Sequence, residues 1–239
     1  MKLGKVYLLG AGIGGKDYLT IQAAKILSRA SVLIYDALVD GELLELVADD
    51  CLRIDVGKRG GLPSTDQETI NELLVRYCRE GKRVVRLKSG DPGVFGRIYP
   101  EILSLQEANC DYELIPGISS ALAAPLLTGI PLTEKDISRG FTVISGHEPQ
   151  SMDWESLTKM DTLVILMGGR SLRSIIDRLR MYGRDGEESI AIIRHCGRLE
   201  QQVWKGTLKD IVEKTAQISL SPCVIIIGQV VSLCPPNSP

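Results

Sequence analysis

The chain has 239 residues, enough for one large domain or two small ones with a substantial buried core. Its composition is that of an ordinary globular protein, with no apolar run long enough to span a bilayer, and its net charge of −2 argues against generic binding to nucleic acid or membranes. The six scattered cysteines and two histidines argue against a disulfide framework or a metal site and fit the reducing cytoplasm.

The first half of the chain alternates apolar strands with helical segments. Strands are predicted at 5–9, 32–35, 52–56, 83–87 and 112–115, and helices from Leu19, after Thr65 and from about Ile98. Thr65-Asp66-Gln67-Glu68 has the form of a capping box for the second helix, and Gly81 follows its last turn. Strands that alternate with helices predict a mainly parallel sheet.

Pro116-Gly117 interrupts the alternation and predicts a domain boundary, with α/β domains at 1–115 and 116–239. In the second half, strands are predicted at 141–144, 161–167, 189–194, 202–205 and 222–227, and helices at 119–127, at 171–182 and from Leu208. Val230–Leu233 follows Ile227 so closely that a hairpin-like antiparallel pair is predicted.

The first predicted strand leads into a glycine turn, Gly10-Ala-Gly-Ile-Gly-Gly15, which fits the dinucleotide pattern Gly-x-Gly-x-x-Gly. One interpretation is an FAD- or NAD-dependent oxidoreductase, with pyrophosphate at the next helix and the ribose held by Asp36. A single glycine pattern is weak evidence, however, and the polar segment 16–18 follows where small or apolar residues usually pack on the strand. A purely structural turn is the other interpretation.

The most constrained loop follows the strand at 83–87 and reads Ser89-Gly-Asp-Pro-Gly93. Pro92 fixes its own φ, while Gly90 and Gly93 permit backbone geometry that other residues resist. Open α/β sheets bind ligands at the carboxyl ends of their strands, so the loop predicts a ligand site.

Several segments occur in a characteristic order. They are Gly10-Ala-Gly-x-Gly14, Tyr35-Asp-Ala-Leu-Val39, Val56-Gly-Lys-Arg59, Gln67-x-x-Ile-Asn71, Arg86-Leu-Lys-x-Gly-Asp-Pro92, Phe95-Gly-Arg97, Ile115-Pro-Gly-Ile118, Gly129-Ile-Pro-Leu-Thr133, Ser145-Gly-His147, Asp161-Thr-Leu-Val164 with Met167-Gly168, and Gly206-Thr-Leu208. In this order and spacing the set resembles the tetrapyrrole methylases, over about residues 5–233.

The resemblance implies a two-domain α/β methylase fold, with a mainly parallel N-terminal sheet on the substrate side and a mixed C-terminal sheet. S-adenosylmethionine would bind in the cleft between the domains and leave as S-adenosylhomocysteine, and family members are usually homodimers. The segments at 56–59 and 67–71 favour methylation of uroporphyrinogen III at carbons 2 and 7. The product would be precorrin-2, which leads to sirohaem and cobalamin.

Two other functions are also compatible with this resemblance and stay open. A later precorrin C-methyltransferase of cobalamin synthesis is the alternative enzyme, because Ser-Gly-Asp-Pro-Gly also occurs in that group. A non-catalytic tetrapyrrole-binding protein is the third possibility. The chain also departs from the family pattern at Ile13, which replaces proline, at Gly15 and Lys16, which precede the loop aspartate, and at Ser89 and Gly93.

The resemblance assigns the base functions to Asp36 and Lys58, because a methylated macrocycle must lose or shift a proton. Arg59 and Arg97 would bind the acidic rim of the substrate. The matching cofactor positions are Ile13, Ser89, Gly90, Asp91, Val94, Ser119, Ser120, Met167 and Cys196.

Each assigned residue also has a purely structural interpretation. Asp36 could be a loop or capping carboxylate, Asp91 could order its own loop through an Asx turn, and Met167 could fill the core. Lys58 and Arg59 could be solvated surface cations, Ser119 a helix N-cap, and Cys196 a small buried residue.

Overall fold

The computed structural model describes residues 3–57 and 65–234. They divide into two compact units, the first ending at Ser119 and the second beginning at Ser120. Each unit has its own five-stranded sheet with helices against it, so the chain has the predicted α/β fold. Among the described residues, no helix is long and apolar enough to cross a membrane.

The sheet of the first unit is entirely parallel, with the strand order β3-β2-β4-β1-β5. Its strands are β1 (Lys5–Gly10), β2 (Val32–Tyr35), β3 (Leu52–Asp55), β4 (Arg83–Lys88) and β5 (Asp111–Ile115), and its helices are α1 (Ile21–Leu27), α2 (Gln67–Arg79) and α3 (Ile98–Glu107). Short 3-10 helices cover Lys16–Tyr18 and Gly41–Leu46. Both faces of the sheet are buried: Val6 and Leu8 pack on one side of β1, and Tyr7 and Leu9 on the other.

Helix α2 begins one residue later than the predicted capping box implies. Asp66, not Thr65, is its N-cap, because the Asp66 carboxylate accepts the Thr69 N–H at 2.7 Å. The predicted C-terminal glycine is confirmed, since Gly81 follows the helix with a left-handed φ of 78°.

The sheet of the second unit is mixed, in the order β6-β7-β10-β8-β9. Its strands are β6 (Phe141–Ser145), β7 (Thr162–Leu166), β8 (Ser189–Arg194), β9 (Gln202–Thr207) and β10 (Cys223–Ile227), and its helices are α4 (Ser120–Leu127), α5 (Trp154–Leu157), α6 (Leu172–Met181) and α7 (Ile211–Lys214). β6 and β7 are parallel, whereas β10 runs antiparallel to both β7 and β8. β6, β7 and β8 therefore point the same way and end at one edge of the sheet.

The hairpin predicted from Val230–Leu233 is wrong. Residues Gln229–Leu233 instead form a 3-10 helix. The second unit has another 3-10 helix earlier in the chain, at Pro149–Ser151. β10 is already paired on both sides, by β7 and β8, so no edge of β10 is left for another strand. The apolar Val230 and Val231 are instead buried by the 3-10 turn.

Candidate active site

Three glycines bring the carboxyl ends of β1, β4 and β5 into backbone contact. A methyl group on Gly117 would stand 2.2 Å from the Gly90 carbonyl oxygen and 2.7 Å from Gly10 Cα. The loops after β1 and β4 are further joined by two hydrogen bonds, from Gly90 N to Gly12 O at 2.8 Å and from Gly12 N to Gly90 O at 3.2 Å. Only residues without a Cβ permit this approach.

Asp91 holds two of these loops with one carboxylate. Its Oδ1 accepts the Gly93 N–H at 2.8 Å, which is the Asx-turn interaction, and its Oδ2 accepts the Gly117 N–H at 3.0 Å. Next to it, Gly90 has a left-handed φ of 69° and no atom within 4 Å of where a Cβ would stand. Val94 is exposed. The loop is thus rigid and open on one side.

The glycine turn does not lead into a pyrophosphate-binding helix. Gly15 is followed by the 3-10 turn Lys16–Tyr18, and α1 begins only at Ile21. Thr20 caps that helix, its hydroxyl accepting the Ala23 N–H at 3.1 Å. The close helix packing that a dinucleotide fold requires after its last glycine is absent from this segment, which speaks against the oxidoreductase interpretation. Ile13 lies half-buried in the same turn.

Asp36 follows β2 and forms an ion pair with a buried arginine. Asp36 Oδ1 accepts from Arg86 Nη2 at 2.5 Å, and the Asp36 N–H donates to Leu87 O at 3.3 Å. Arg86 Nε donates to Glu101 Oε1 at 3.1 Å, and Lys88 Nζ donates to the same oxygen at 2.7 Å. The Arg86, Lys88 and Glu101 side chains are at most 3% exposed, whereas Asp36 is 33% exposed.

The four charges of this network sum to zero, which allows it to exist in a buried position. Burial, together with the charge of Arg86, lowers the pKa of Lys88, and the neighbouring Glu101 partly opposes that effect. Asp36 is the member of the network that reaches solvent.

In the second unit, Met167 follows β7 and Cys196 follows β8. Both therefore lie at the edge of the second sheet where β7 and β8 end, on either side of the first residues of β10. Met167 is 48% exposed and has a left-handed φ of 58°, so it does not fill the core. His195 has a similar φ of 52°. Burial raises the pKa of the Cys196 thiol to about 12, so the thiol is uncharged and offers no nucleophile at neutral pH.

The structure places the other predicted site residues as follows. Ser120 begins α4, which packs against β7 and β10, and Ser119 before it is buried. Arg97 is exposed and, with a left-handed φ of 51°, precedes α3. Lys58 and Arg59 lie outside the described residues.

Sequence reasoning missed Arg86, Lys88 and Glu101 as a group. A signal was present: Arg86 and Lys88 stand at alternate positions at the carboxyl end of β4, directly after the apolar Val84 and Val85. In a parallel sheet that is covered on both faces, such charges need a buried partner. Glu101, one turn into α3, was not recognisable as that partner.

The chain consists of two α/β units, and the first has rigid glycine-lined loops at the carboxyl edge of its parallel sheet. These features place it in the class of α/β proteins that bind small molecules at the carboxyl ends of their strands. The family described as Tetrapyrrole (Corrin/Porphyrin) Methylases matches residues 5–212. The chain belongs to this family.

Two relatives are similar over nearly their whole length. The uroporphyrinogen-III C-methyltransferase of Synechococcus elongatus is 51% identical over 96% of this chain and 95% of its own. That of Methanocaldococcus jannaschii is 44% identical over 96% of this chain and 98% of its own. The crystal structure of the Thermus thermophilus uroporphyrin-III C-methyltransferase with S-adenosylhomocysteine is 34% identical, with a TM-score of 0.84 over 96% of this chain and 100% of that one.

Proposed function

We propose that the chain transfers two methyl groups from S-adenosylmethionine to carbons 2 and 7 of uroporphyrinogen III. The products are precorrin-2, a precursor for sirohaem and cobalamin, and two molecules of S-adenosylhomocysteine. The observation that carries the proposal is the 51% identity to a uroporphyrinogen-III C-methyltransferase over nearly all of both chains.

The residues present fit S-adenosylmethionine. The loop at Ser89, Gly90 and Asp91 is fixed by its own hydrogen bonds and is open beside Gly90, so backbone groups can approach a ligand closely. Val94 and Met167 expose apolar side chains suited to an adenosine or a thioether chain. Ile13, Ser119, Ser120 and Cys196 complete the set of proposed cofactor residues. S-adenosylmethionine supplies a methyl group activated by a positively charged sulfonium.

Asp36 is the proposed base. In each methylation a pyrrole carbon forms a bond to the methyl carbon while the methyl–sulfur bond breaks, and the macrocycle then has a proton to lose or shift. Asp36 Oδ1 is occupied by Arg86, whereas Oδ2 has no hydrogen-bond partner among residues 3–57 and 65–234. A partly exposed carboxylate with one fixed and one available oxygen can accept that proton. Lys58 is proposed to assist.

Arg59 and Arg97 are the proposed contacts for the substrate rim. Uroporphyrinogen III carries acetate and propionate groups all round the macrocycle, and a chain with a net charge of −2 needs local cations to bind them. Arg97 is exposed at the start of α3, with a left-handed backbone that sets its direction.

The protein is proposed to act as a homodimer in the cytoplasm. Leu122 and Leu126 are one turn apart on α4 and are 53% and 77% exposed, an apolar face that a second copy could cover. Light scattering of the purified protein tests the dimer: a mass of one chain across the concentrations used for activity would contradict it.

The activity is tested by anaerobic incubation with S-adenosylmethionine and freshly prepared uroporphyrinogen III, followed by mass spectrometry. Two added methyl groups, with a matching amount of S-adenosylhomocysteine, are expected. Asp36→Asn and Lys58→Ala should each lower turnover more than cofactor affinity, with the exposed Asp49→Asn as the matched control. If folded protein binds S-adenosylhomocysteine but leaves the substrate unmethylated, the proposed function fails, and later precorrins become the next substrates to test.

A further inference from the structure

We infer that Arg86 is a positioning residue for the methylation reaction, with Glu101 and Lys88 as its support. Arg86 holds the Asp36 carboxylate in one orientation, so that Oδ2 is presented to the substrate. The inference rests on the proposed function of Asp36 as the base. It adds to that site the buried side chains that contact Asp36 directly or through Arg86.

The guanidinium of Arg86 is fixed on every side. Nη2 donates to Asp36 Oδ1 at 2.5 Å, and Nη1 donates to the backbone carbonyls of Leu87 at 3.3 Å and Ile34 at 3.5 Å. Nε donates to Glu101 Oε1 at 3.1 Å. These contacts use all three nitrogens of the guanidinium and connect β2, β4 and α3. The planar guanidinium group therefore has no other orientation available.

Asp36 is held at two further points of its backbone. Its N–H donates to Leu87 O at 3.3 Å, and its carbonyl accepts the Val39 N–H at 3.1 Å. Because the main chain is fixed, the remaining freedom of Asp36 is rotation of its side chain, and the hydrogen bond from Arg86 restricts that rotation. A base that is already oriented toward the substrate proton accepts that proton faster than a base that must first reorient.

Glu101 and Lys88 explain how a full positive charge stays in this position. Without Glu101, the buried Arg86 would have only the partly exposed Asp36 carboxylate as its counter-charge, a costly arrangement. Glu101 Oε1 accepts from both Arg86 and Lys88, while Glu101 Oε2 has no hydrogen-bond partner in the described part of the chain. Stability alone does not account for a network of four charges, because apolar side chains of similar volume usually serve a core as well or better.

The test compares three variants of the intact protein. Arg86→Gln removes the guanidinium, and Arg86→Lys keeps the charge but cannot bind Asp36, Glu101 and the two carbonyls together. Arg83→Gln is the matched control, since Arg83 lies on the same strand but contacts the Tyr7 ring. We expect Arg86→Gln to lower kcat by about 30-fold or more and Arg86→Lys by about tenfold. The dissociation constant for S-adenosylhomocysteine should stay within about twofold, as measured by calorimetry.

A double-mutant cycle separates positioning from mere folding. In an Asp36→Asn background, adding Arg86→Gln should change the single-turnover rate by less than about threefold, because the two residues act as one unit. Equal losses in both backgrounds would overturn the inference, and so would a kcat close to that of the unmodified protein in folded Arg86→Gln. If Arg86→Gln does not fold, Arg86→Lys carries the same comparison. If Asp36→Asn turns over too slowly to measure, the split between kcat and S-adenosylhomocysteine affinity decides.

Failure of this inference differs from failure of the proposed function. If the unmodified protein does not methylate uroporphyrinogen III, the proposed function fails. If it does methylate the substrate but Asp36→Asn keeps full turnover, the activity stands, while the base role of Asp36 and the positioning role that rests on it both fail. If both of those tests succeed and Arg86→Gln still turns over normally, only the positioning role fails.

Discussion

Asp91 and Gly117 are joined by a hydrogen bond of 3.0 Å between loops that leave different strands of the first sheet. Gly117 follows β5, Asp91 follows β4, and β1 lies between those strands. The other oxygen of Asp91 accepts the Gly93 N–H within its own loop. A single side chain therefore sets the spacing of two loops that carry proposed cofactor residues.

Asp91→Ala removes both hydrogen bonds and leaves the Gly117 N–H without its acceptor. Because hydrogen bonds to a charged group are among the stronger ones, we expect a loss of about 2 kcal/mol in unfolding free energy. We also expect at least about tenfold weaker binding of S-adenosylhomocysteine, since the loops lose their fixed spacing. Calorimetry and urea denaturation check the two effects. Asp49→Ala, at an exposed position, is the control, and unchanged affinity in Asp91→Ala would contradict the role.

Gly117→Ala should destabilise the protein strongly. The new methyl group would stand 2.2 Å from the Gly90 carbonyl oxygen and 2.7 Å from Gly10 Cα, and neither backbone can move without breaking its own hydrogen bonds. Overpacking of this kind typically costs about 1–3 kcal/mol. Gly41→Ala is the control, because no atom lies within 4 Å of the added Cβ. Equal urea midpoints for the two variants would show that the loops are not tightly packed.

Most of the fold was predictable because the apolar runs have clear ends. Val32–Tyr35 and Ser189–Arg194 were predicted to the residue, since each is an apolar segment bounded by polar or turn residues. Val230–Leu233 was assigned wrongly, because its composition suits a strand and only the sheet order shows that β10 has no free edge.

The candidate site was less predictable than the fold. Asp36 and Asp91 stood out because each follows an apolar strand, and the resemblance gave them roles. The contacts of Asp36 depend on Arg86, and those of Arg86 on Glu101 in a helix of another segment. Such pairing is decided by packing in three dimensions, and local sequence patterns do not report it.

Met167→Gly should separate stability from binding. Met167 is 48% exposed and has a φ of 58°, a region in which a residue with a Cβ is disfavoured by about 1–2 kcal/mol relative to glycine. We expect the melting temperature to stay constant or rise, while S-adenosylhomocysteine binds about tenfold more weakly. Met181→Gly, at a solvent-exposed position in the last turn of α6, should lower stability and leave binding unchanged. Full affinity in Met167→Gly would remove this residue from the proposed site.

His195 should make the protein less stable below neutral pH. Burial and the positive charges of Arg194 and Arg198 lower the pKa of His195 from its usual 6.5, and Glu200 opposes them only in part. As the pH falls below 6.5, the unfolded chain therefore takes up a proton that the folded chain resists. The stability present above that pH is lost progressively as the pH falls toward and through the folded pKa.

His195→Gln should remove this part of the pH dependence. The measurement is the urea midpoint at about pH 7.5 and about pH 5.5, and the difference between the two should be smaller in His195→Gln than in the unmodified protein. His147→Gln controls for the loss of a histidine elsewhere in the same unit. If His195→Gln and the unmodified protein lose the same stability on acidification, the proton is taken up at other groups, and the arginines beside His195 do not control the acid response.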